Sequence, residues 1–315
     1  MRLENLQFTK MNTNFMGSLH GIAKYYGYHY SQQWLLGGTG HAFMMNIHKE
    51  LCPSGPYVFE LDPIFDCAKN LGLQFEPVGF VHGELTPEVL APHEDKLRVY
   101  MDQSIPVIIQ NMDNQIMVGY DETGFLLDPT YEDAEEYFPP KLTFGSWEEY
   151  GDEVHSFSMA VRKIKPAHPK KVIKDSLDLA IKLLRNEYPQ QEPQEGIHYY
   201  ATGFKGYEYW LEYLDKNNGN THGHYWNGSV WMECRKHAAM YFHDLPYYED
   251  LVAKDQDEMK LINTLENKFN EITELLNKAR VKESPRKKKL KFIKKASMIE
   301  ESSLEDIISL RNRLD

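Results

Sequence analysis

A cysteine and two histidines in the N-terminal third of the chain could carry nucleophilic or acid–base chemistry. Cys52 stands in "LCPSGP" and is a candidate nucleophile, and His41 stands in "GTGHAF". The glycines before His41 would let a ligand approach the backbone, and a helix beginning there would favour an anion or a carbonyl oxygen at its N-terminus. His48 would share a face of that helix with His41. The alternative is a set of buried histidines and a small apolar cysteine at a helix end.

A second group of candidates lies in an aromatic-rich stretch farther along the chain. Tyr207 and Trp210 fall at helical spacing, whereas the segment around Tyr225 and Trp226 is typical of a loop. Rings with polar tips, together with Arg235, which could bind a carboxylate or phosphate through two hydrogen bonds, predict a ligand-binding surface. An aromatic core is the alternative.

Composition limits the classes of function. The chain has 315 residues, of which 42% are hydrophobic and 26% charged, enough for two packed domains. Its first ten residues have no apolar run, and no run of eighteen apolar residues occurs, which predicts a cytoplasmic protein without membrane association. His222 and His224 lack a carboxylate or thiol at a familiar ligand spacing, so neither a metal nor another cofactor is expected. The net charge of −12 makes nucleic acid an unlikely partner.

Three regions differ in their hydrophobic pattern. Residues 1–165 combine one clear helix with short β-like runs, of which 115–120 and 124–129 are predicted to form a hairpin across "DETG". Residues 166–250 follow the Pro- and Lys-rich run "KIKPAHPKK" and have a helical pattern. Residues 251–315 are predicted to form a charged amphipathic helical tail.

The tail carries both a heptad pattern and a basic cluster. Its heptad positions predict a helix packed on its own protein or, alternatively, a homodimer seam or partner helix through residues 259–279. Residues 278–295 hold ten basic residues and one acid. Carboxylates of the neighbouring runs "DQDE" and "EESSLED" are expected to neutralise this solvated helix face, and nucleic-acid binding by the basic run is the alternative. The heptad positions are Ile262, Leu265, Phe269, Ile272, Leu276 and Ala279.

The first helix is predicted to begin near Asn14. Asn14 is a suitable N-cap residue, and Gly27 suits the C′ position that ends a helix. Between them an apolar stripe would face the core. The stripe consists of Phe15, Leu19, Ile22, Ala23 and Tyr26.

This helix resembles the first helix of the papain-like cysteine peptidase superfamily. The likeness is to the double-glycine peptidases and to the N-terminal domain of butirosin biosynthesis protein H, an acyl transferase that acts through a cysteine thioester. Asn14 falls where those proteins have cysteine. "LLGGTGHAF" (35–43) resembles the glycine-rich turn that follows, and "VGYDETGFLLDP" (118–129) resembles the end of the catalytic core. The resemblance covers about residues 7–130 and implies an α+β papain-like domain, followed by an all-helical C-terminal region.

The resemblance also assigns roles to individual positions. The family's general-base histidine would fall on Asn114 or Gln115, so the imidazole is missing together with the thiol. Asp128 matches the third catalytic member, which orients that histidine. Gln7 lies near the position of the glutamine that stabilises the oxyanion.

Three functional hypotheses follow. The leading one is a degenerate, non-catalytic papain-like protein that binds a small acyl, amino-acid or peptide ligand in the former cysteine cleft, and the resemblance implies a place in natural-product metabolism. The alternative is an active cysteine-dependent acyl or peptidyl transferase, or an amide hydrolase, with a rearranged site built on Cys52 or His41. A third is an assembly protein that acts through its C-terminal helix.

Overall fold

The computed structural model describes residues 1–83, 85–111, 113–128, 138–151, 154–189, 198–248 and 255–314. Internal contacts divide the chain into two units. Unit 1 contains Met1–Tyr30 and Gly72–Pro166, and unit 2 contains Ser31–Leu71 and Ala167–Asp315. Residues 31–71, which the sequence pattern grouped with the N-terminal domain, therefore belong with the helical part of the chain.

The described residues form nine α-helices and eight strands. The helices are α1 (Asn14–Tyr25), α2 (Gln32–Gly38), α3 (Asp62–Asn70), α4 (Pro87–Asp102), α5 (Pro169–Leu184), α6 (Gly203–Lys216), α7 (His222–Asp244), α8 (Gln256–Ala279) and α9 (Arg286–Asn312). The strands are β1 (Asn46–His48), β2 (Leu73–Gly83), β3 (Val107–Gln110), β4 (Asn114–Tyr120), β5 (Gly124–Asp128), β6 (Lys141–Thr143), β7 (Val154–Lys163) and β8 (Tyr200–Thr202). The chain is thus mixed α and β, with a helical C-terminal part.

Unit 1 is built on a six-stranded antiparallel sheet in the order β2-β7-β3-β4-β5-β6. The predicted hairpin is confirmed as β4 and β5. Its turn is held by Asp121, whose Oδ1 accepts hydrogen bonds from the backbone N–H of Thr123 (2.8 Å) and of Gly124 (3.0 Å). This is the side-chain chemistry that makes aspartate favourable in turns. Pro129, the last residue of the predicted run, lies outside the described residues.

Helix α1 packs on β4 and on the N-terminal segment of unit 1. A Cβ atom at Gly21 would lie 2.0 Å from the carbonyl oxygen of Gln7, so this approach requires glycine. As predicted, Gly27 occupies the C′ position after the C-cap Tyr26, and its φ is +79°. The N–H of Tyr28 donates to the carbonyl of Ala23 at 2.9 Å, the hydrogen bond typical of a glycine-terminated helix.

In the described part of unit 2, helices carry most of the chain, and the β structure consists of the two-stranded antiparallel sheet of β1 and β8. The expected all-helical C-terminal region therefore contains one short strand, which pairs with a strand from residues 31–71. All six heptad residues of α8 are buried, and α8 packs on α7 and α9 of the same chain. Within the described ranges, no helix has the length and apolar character needed to cross a membrane.

Candidate functional site

Asn14 and Asp113 form a buried amide–carboxylate pair in unit 1. Asn14 is the first residue of α1, and Asp113 comes directly before β4. Asn14 Nδ2 donates to Asp113 Oδ2 at 2.5 Å, and the two residues are 1% and 8% exposed. The other carboxylate oxygen, Oδ1, accepts from the backbone N–H of Asn114 at 2.8 Å. The pair therefore joins the start of the helix to the start of the strand.

The predicted N-cap role of Asn14 is wrong. The N-cap residue is Thr13, which makes no side-chain capping hydrogen bond, and Asn14 already belongs to the helix. The physical reason is that the Asn14 amide is engaged with Asp113. A carboxylate near the start of a helix also interacts favourably with the positive end of the helix dipole.

The side chain that bonds to Asn14 is not at either expected base position. Gln115 Nε2 donates to the carbonyl of Pro139 at 3.1 Å. Asn114 is 3% exposed, and its Oδ1 accepts no hydrogen bond from any described residue. Asp113, one position earlier than expected, holds the place next to Asn14. Sequence reasoning missed it because the resemblance placed the base on Asn114 or Gln115, and the acidic residue in "NMDNQ" was the available signal.

Asp128 contacts the N-terminal segment of unit 1. Its Oδ2 accepts a hydrogen bond from the backbone N–H of Phe8 at 2.5 Å. Gln7, the preceding residue, is exposed, and its carbonyl oxygen lies against Gly21 of α1. Asp128 thus binds the segment that contains Gln7, whereas the resemblance predicted that it would orient a catalytic histidine.

In unit 2, His41 does not begin a helix. The residues His41–Phe43 form a single 3-10 turn, and the chain then continues into β1, which contains His48. The predicted helix with both histidines on one face is therefore wrong. It fails because Gly40 adopts φ +74° and Met44 is extended, so the backbone leaves the helical path on both sides of the turn. Burial and the nearby charge of Arg235 lower the pKa of His41 to about 3.

Cys52 is half-buried in a turn after β1, not at a helix end. Its carbonyl oxygen accepts from Asn227 Nδ2 at 3.0 Å, and Asn46 Nδ2 donates to the carbonyl of Gly55 at 2.9 Å in the same turn. No described histidine forms a hydrogen bond with its thiol. Burial raises the pKa of Cys67 to about 12 and also raises the pKa of Cys234.

Arg235, a predicted ligand-binding residue, forms a buried ion pair with Glu300. Both side chains have no exposed surface, and Nη2 lies 2.5 Å from Glu300 Oε1 while Nε lies 3.0 Å from Oε2. Nη1 donates to the carbonyl oxygens of Ala42 (3.2 Å) and Met44 (2.5 Å). Tyr207 is also buried, and its hydroxyl donates to Glu300 at 2.7 Å. Because these hydrogen bonds engage Nε, Nη1 and Nη2, the Arg235 guanidinium has no pair of N–H groups with which to bind an anion.

The remaining aromatic candidates belong to helices. Trp210 is buried, and its Nε1 donates to Nδ1 of His224 at 3.1 Å. Tyr225 and Trp226 lie in the first turns of α7, not in a loop, because Thr221 caps this helix by accepting from the N–H of His224 at 3.2 Å. Both rings are half-buried.

No protein-family model and no curated protein matches this chain.

The Asn14–Asp113 pair offers hydrogen-bonding groups and no thiol or imidazole. Neither an amide nor a carboxylate bonded to it supplies a nucleophile comparable to a thiolate. In the residue after Asp113, Asn114 Oδ1 is a buried acceptor without a donor from the described residues. Native structures leave few such groups unsatisfied, so an unpaired acceptor calls for a donor from water or ligand. Among the described residues, no cluster of three or more histidine, cysteine or carboxylate groups could hold a metal ion.

Proposed function

We propose that the protein is a non-catalytic relative of papain-like enzymes, which binds a small acyl, amino-acid or peptide ligand at the Asn14–Asp113 site. The observation that supports this most strongly is the 2.5 Å hydrogen bond between Asn14 Nδ2 and Asp113 Oδ2 at the start of α1. The resemblance places the nucleophilic cysteine at residue 14, and the chain has there an amide engaged with a carboxylate.

The site favours ligands that donate N–H hydrogen bonds. Asp113 is an acceptor in its ionised form, and Asn114 Oδ1 is a second acceptor close by in sequence. Amino acids and peptides carry ammonium and amide donors that match both groups. Charge-assisted hydrogen bonds to a carboxylate are stronger than neutral ones, so the ammonium of a free amino terminus would contribute most.

A binding experiment tests this proposal. Glycyl-glycine and N-acetyl-glycine are titrated calorimetrically into the wild-type protein and into Asp113→Ala. We expect glycyl-glycine to bind more tightly than N-acetyl-glycine, which has the same amide and carboxylate but lacks the terminal ammonium, and we expect at least tenfold weaker binding of glycyl-glycine to the variant. Asp102→Ala is the control, since Asp102 is an exposed carboxylate of the same unit. Equal affinity in the wild type and Asp113→Ala would contradict the assignment of the ligand to this site.

A thiol titration separates this proposal from the active-enzyme alternative. Alkylation is followed against pH, with the modified residues mapped by mass spectrometry. Cys67 and Cys234 should react slowly, because burial raises both thiol pKa values, and Cys52, which is only half-buried, should be modified before them. Thioester or amide turnover by the wild type that is lost in Cys52→Ser would establish the enzyme instead.

A further inference from the structure

The first half of α9 presents four lysine ammonium groups that the chain does not use itself. Lys287, Lys288, Lys291 and Lys294 are exposed. Among the described residues, no ion pair, hydrogen bond or ring contact involves their side chains. These four residues are called the lysine face below.

Three of the carboxylates expected to neutralise the basic segment bind other residues. In "DQDE", Asp255 lies 3.3 Å from Nη1 of Arg313. In "EESSLED", Glu300 belongs to the buried pair described above, and Asp306 accepts from Lys268 at 2.7 Å. The expectation that these two runs neutralise the basic segment is therefore not supported for these three acids.

The lysine face follows one side of the helix. Lys291 lies four residues after Lys287, and Lys294 follows three residues later, which are the spacings of neighbours on a helix surface. The three positions span about 10 Å along the axis at the standard rise per residue. Lys288 flanks this row. The result is a compact row of positive charge.

Lys289 fixes this part of α9 in place. It is fully buried, and its Nζ donates to the carbonyls of Gly219 (3.0 Å), Asn218 (3.3 Å) and Lys282 (2.7 Å) and to Asn220 Oδ1 (2.8 Å). Four oxygens hold one ammonium, so the helix start is attached to the turn before α7. The exposed lysines are consequently carried on a fixed backbone.

The chemistry of the face favours a duplex nucleic acid over an anionic membrane. The apolar side of α9 is covered by its own protein, since Ile293, Ala296 and Ile307 are buried, and an interfacial helix needs that side free for lipid. The face contains lysines alone, and contacts of lysine ammonium groups with phosphates carry no sequence information. Double-stranded nucleic acid has a higher density of phosphate charge along its axis than a single strand has.

The net charge of −12 does not prevent such binding. At physiological ionic strength, charges more than about 8 Å away are largely screened, so a local row of lysines acts on its own. The negative charge of the rest of the protein would instead restrict nucleic-acid binding to the lysine face.

We propose that the lysine face of α9 binds the phosphate backbone of double-stranded nucleic acid without sequence preference. This inference is independent of the Asn14–Asp113 site, because the lysine face and that site lie in different units.

The test uses a fluorescein-labelled DNA duplex of 20 base pairs and anisotropy with the full chain. Four neutralised phosphates predict a slope of log K against log salt of about −3.6, so affinity should fall roughly 100-fold between 50 and 200 mM salt. The quadruple variant Lys287→Ala, Lys288→Ala, Lys291→Ala and Lys294→Ala should bind at least tenfold more weakly. Its circular dichroism melt should match the wild type, because all four side chains are exposed.

A matched variant removes the same charge from other exposed lysines of unit 2. It should bind the duplex as the wild type does, which separates a local surface from net charge. Equal weakening in both variants would overturn the proposal, as would absence of wild-type binding at 50 mM salt. Tighter binding to the single-stranded 20-mer than to the duplex would refute the duplex assignment, and binding only to vesicles containing phosphatidylglycerol would refute nucleic acid. The matched variant is Lys69→Ala, Lys182→Ala, Lys236→Ala and Lys260→Ala.

Discussion

Replacing Arg235 by methionine should strongly destabilise unit 2. The substitution keeps an unbranched side chain and removes the charge, so the Glu300 carboxylate loses the two hydrogen bonds of its partner, at 2.5 and 3.0 Å. Breaking a fully buried ion pair by removing one partner costs about 3–5 kcal/mol, because the other charge stays buried without compensation. The carbonyl oxygens of Ala42 and Met44 lose donors as well, which supports the upper part of that range.

The assay is urea unfolding at pH 7 followed by tryptophan fluorescence. Four of the five tryptophans, all except Trp147, belong to unit 2, so the signal reports mainly on the unit that contains the pair. Two units can unfold in separate steps, and the fit must allow for that. The double variant Arg235→Met with Glu300→Met should cost less than the sum of the single changes, since it leaves no lone buried charge.

An exposed ion pair of the same unit provides the control. Arg286 Nη2 lies 2.9 Å from Asp215 Oδ1, and both side chains are well exposed. Arg286→Met should therefore cost under about 1 kcal/mol. If Arg235→Met costs no more than Arg286→Met, the claim that Arg235 and Glu300 depend on each other is wrong.

Two further changes test other parts of the structure. Burial lowers the pKa of His224 to about 4, and its Nδ1 accepts from Trp210 while its Nε2 bonds to the Ala279 carbonyl at 2.8 Å. Because the unfolded histidine binds a proton near pH 6.5 and the folded one does not, the stability contributed by His224 is full above pH 6.5 and is lost as pH falls towards 4. Between pH 7 and 5 the wild type should therefore lose about 2 kcal/mol more of its unfolding free energy than His224→Gln does in urea titrations. Equal losses in the two proteins would contradict this. Asn14→Ala should cost about 1–3 kcal/mol by removing the amide donor to Asp113 Oδ2. That cost should shrink in an Asp113→Ala background, whereas a loss of helix capping would persist there.

Local patterns in the sequence predicted the elements well. The "DETG" hairpin, the end of α1 at Gly27 and the buried heptad face of α8 all depend on neighbours in sequence. Periodicity and turn chemistry are sufficient for such features. The local pattern was not sufficient at His41, where the predicted helix does not form.

The partners of buried polar groups could not be predicted, because they come from distant parts of the chain. Arg235 pairs with Glu300 across 65 residues. Asp113 meets Asn14 across 99 residues. An acidic residue before a strand gives no sign of what it faces. The sequence therefore indicated which residue types were unusual, and only the tertiary structure assigned their partners.

The oxygen cage around Lys289 has a practical consequence for measuring motion. An amine-reactive reagent should modify the exposed lysines of α9 rapidly and reach Lys289 only when the helix start detaches from the turn that contains Gly219. Lys288, the adjacent residue, is an internal reference, because it meets the same reagent and lies in the same helix. The ratio of the two labelling rates then reports the equilibrium for local opening in the native protein, without any mutation.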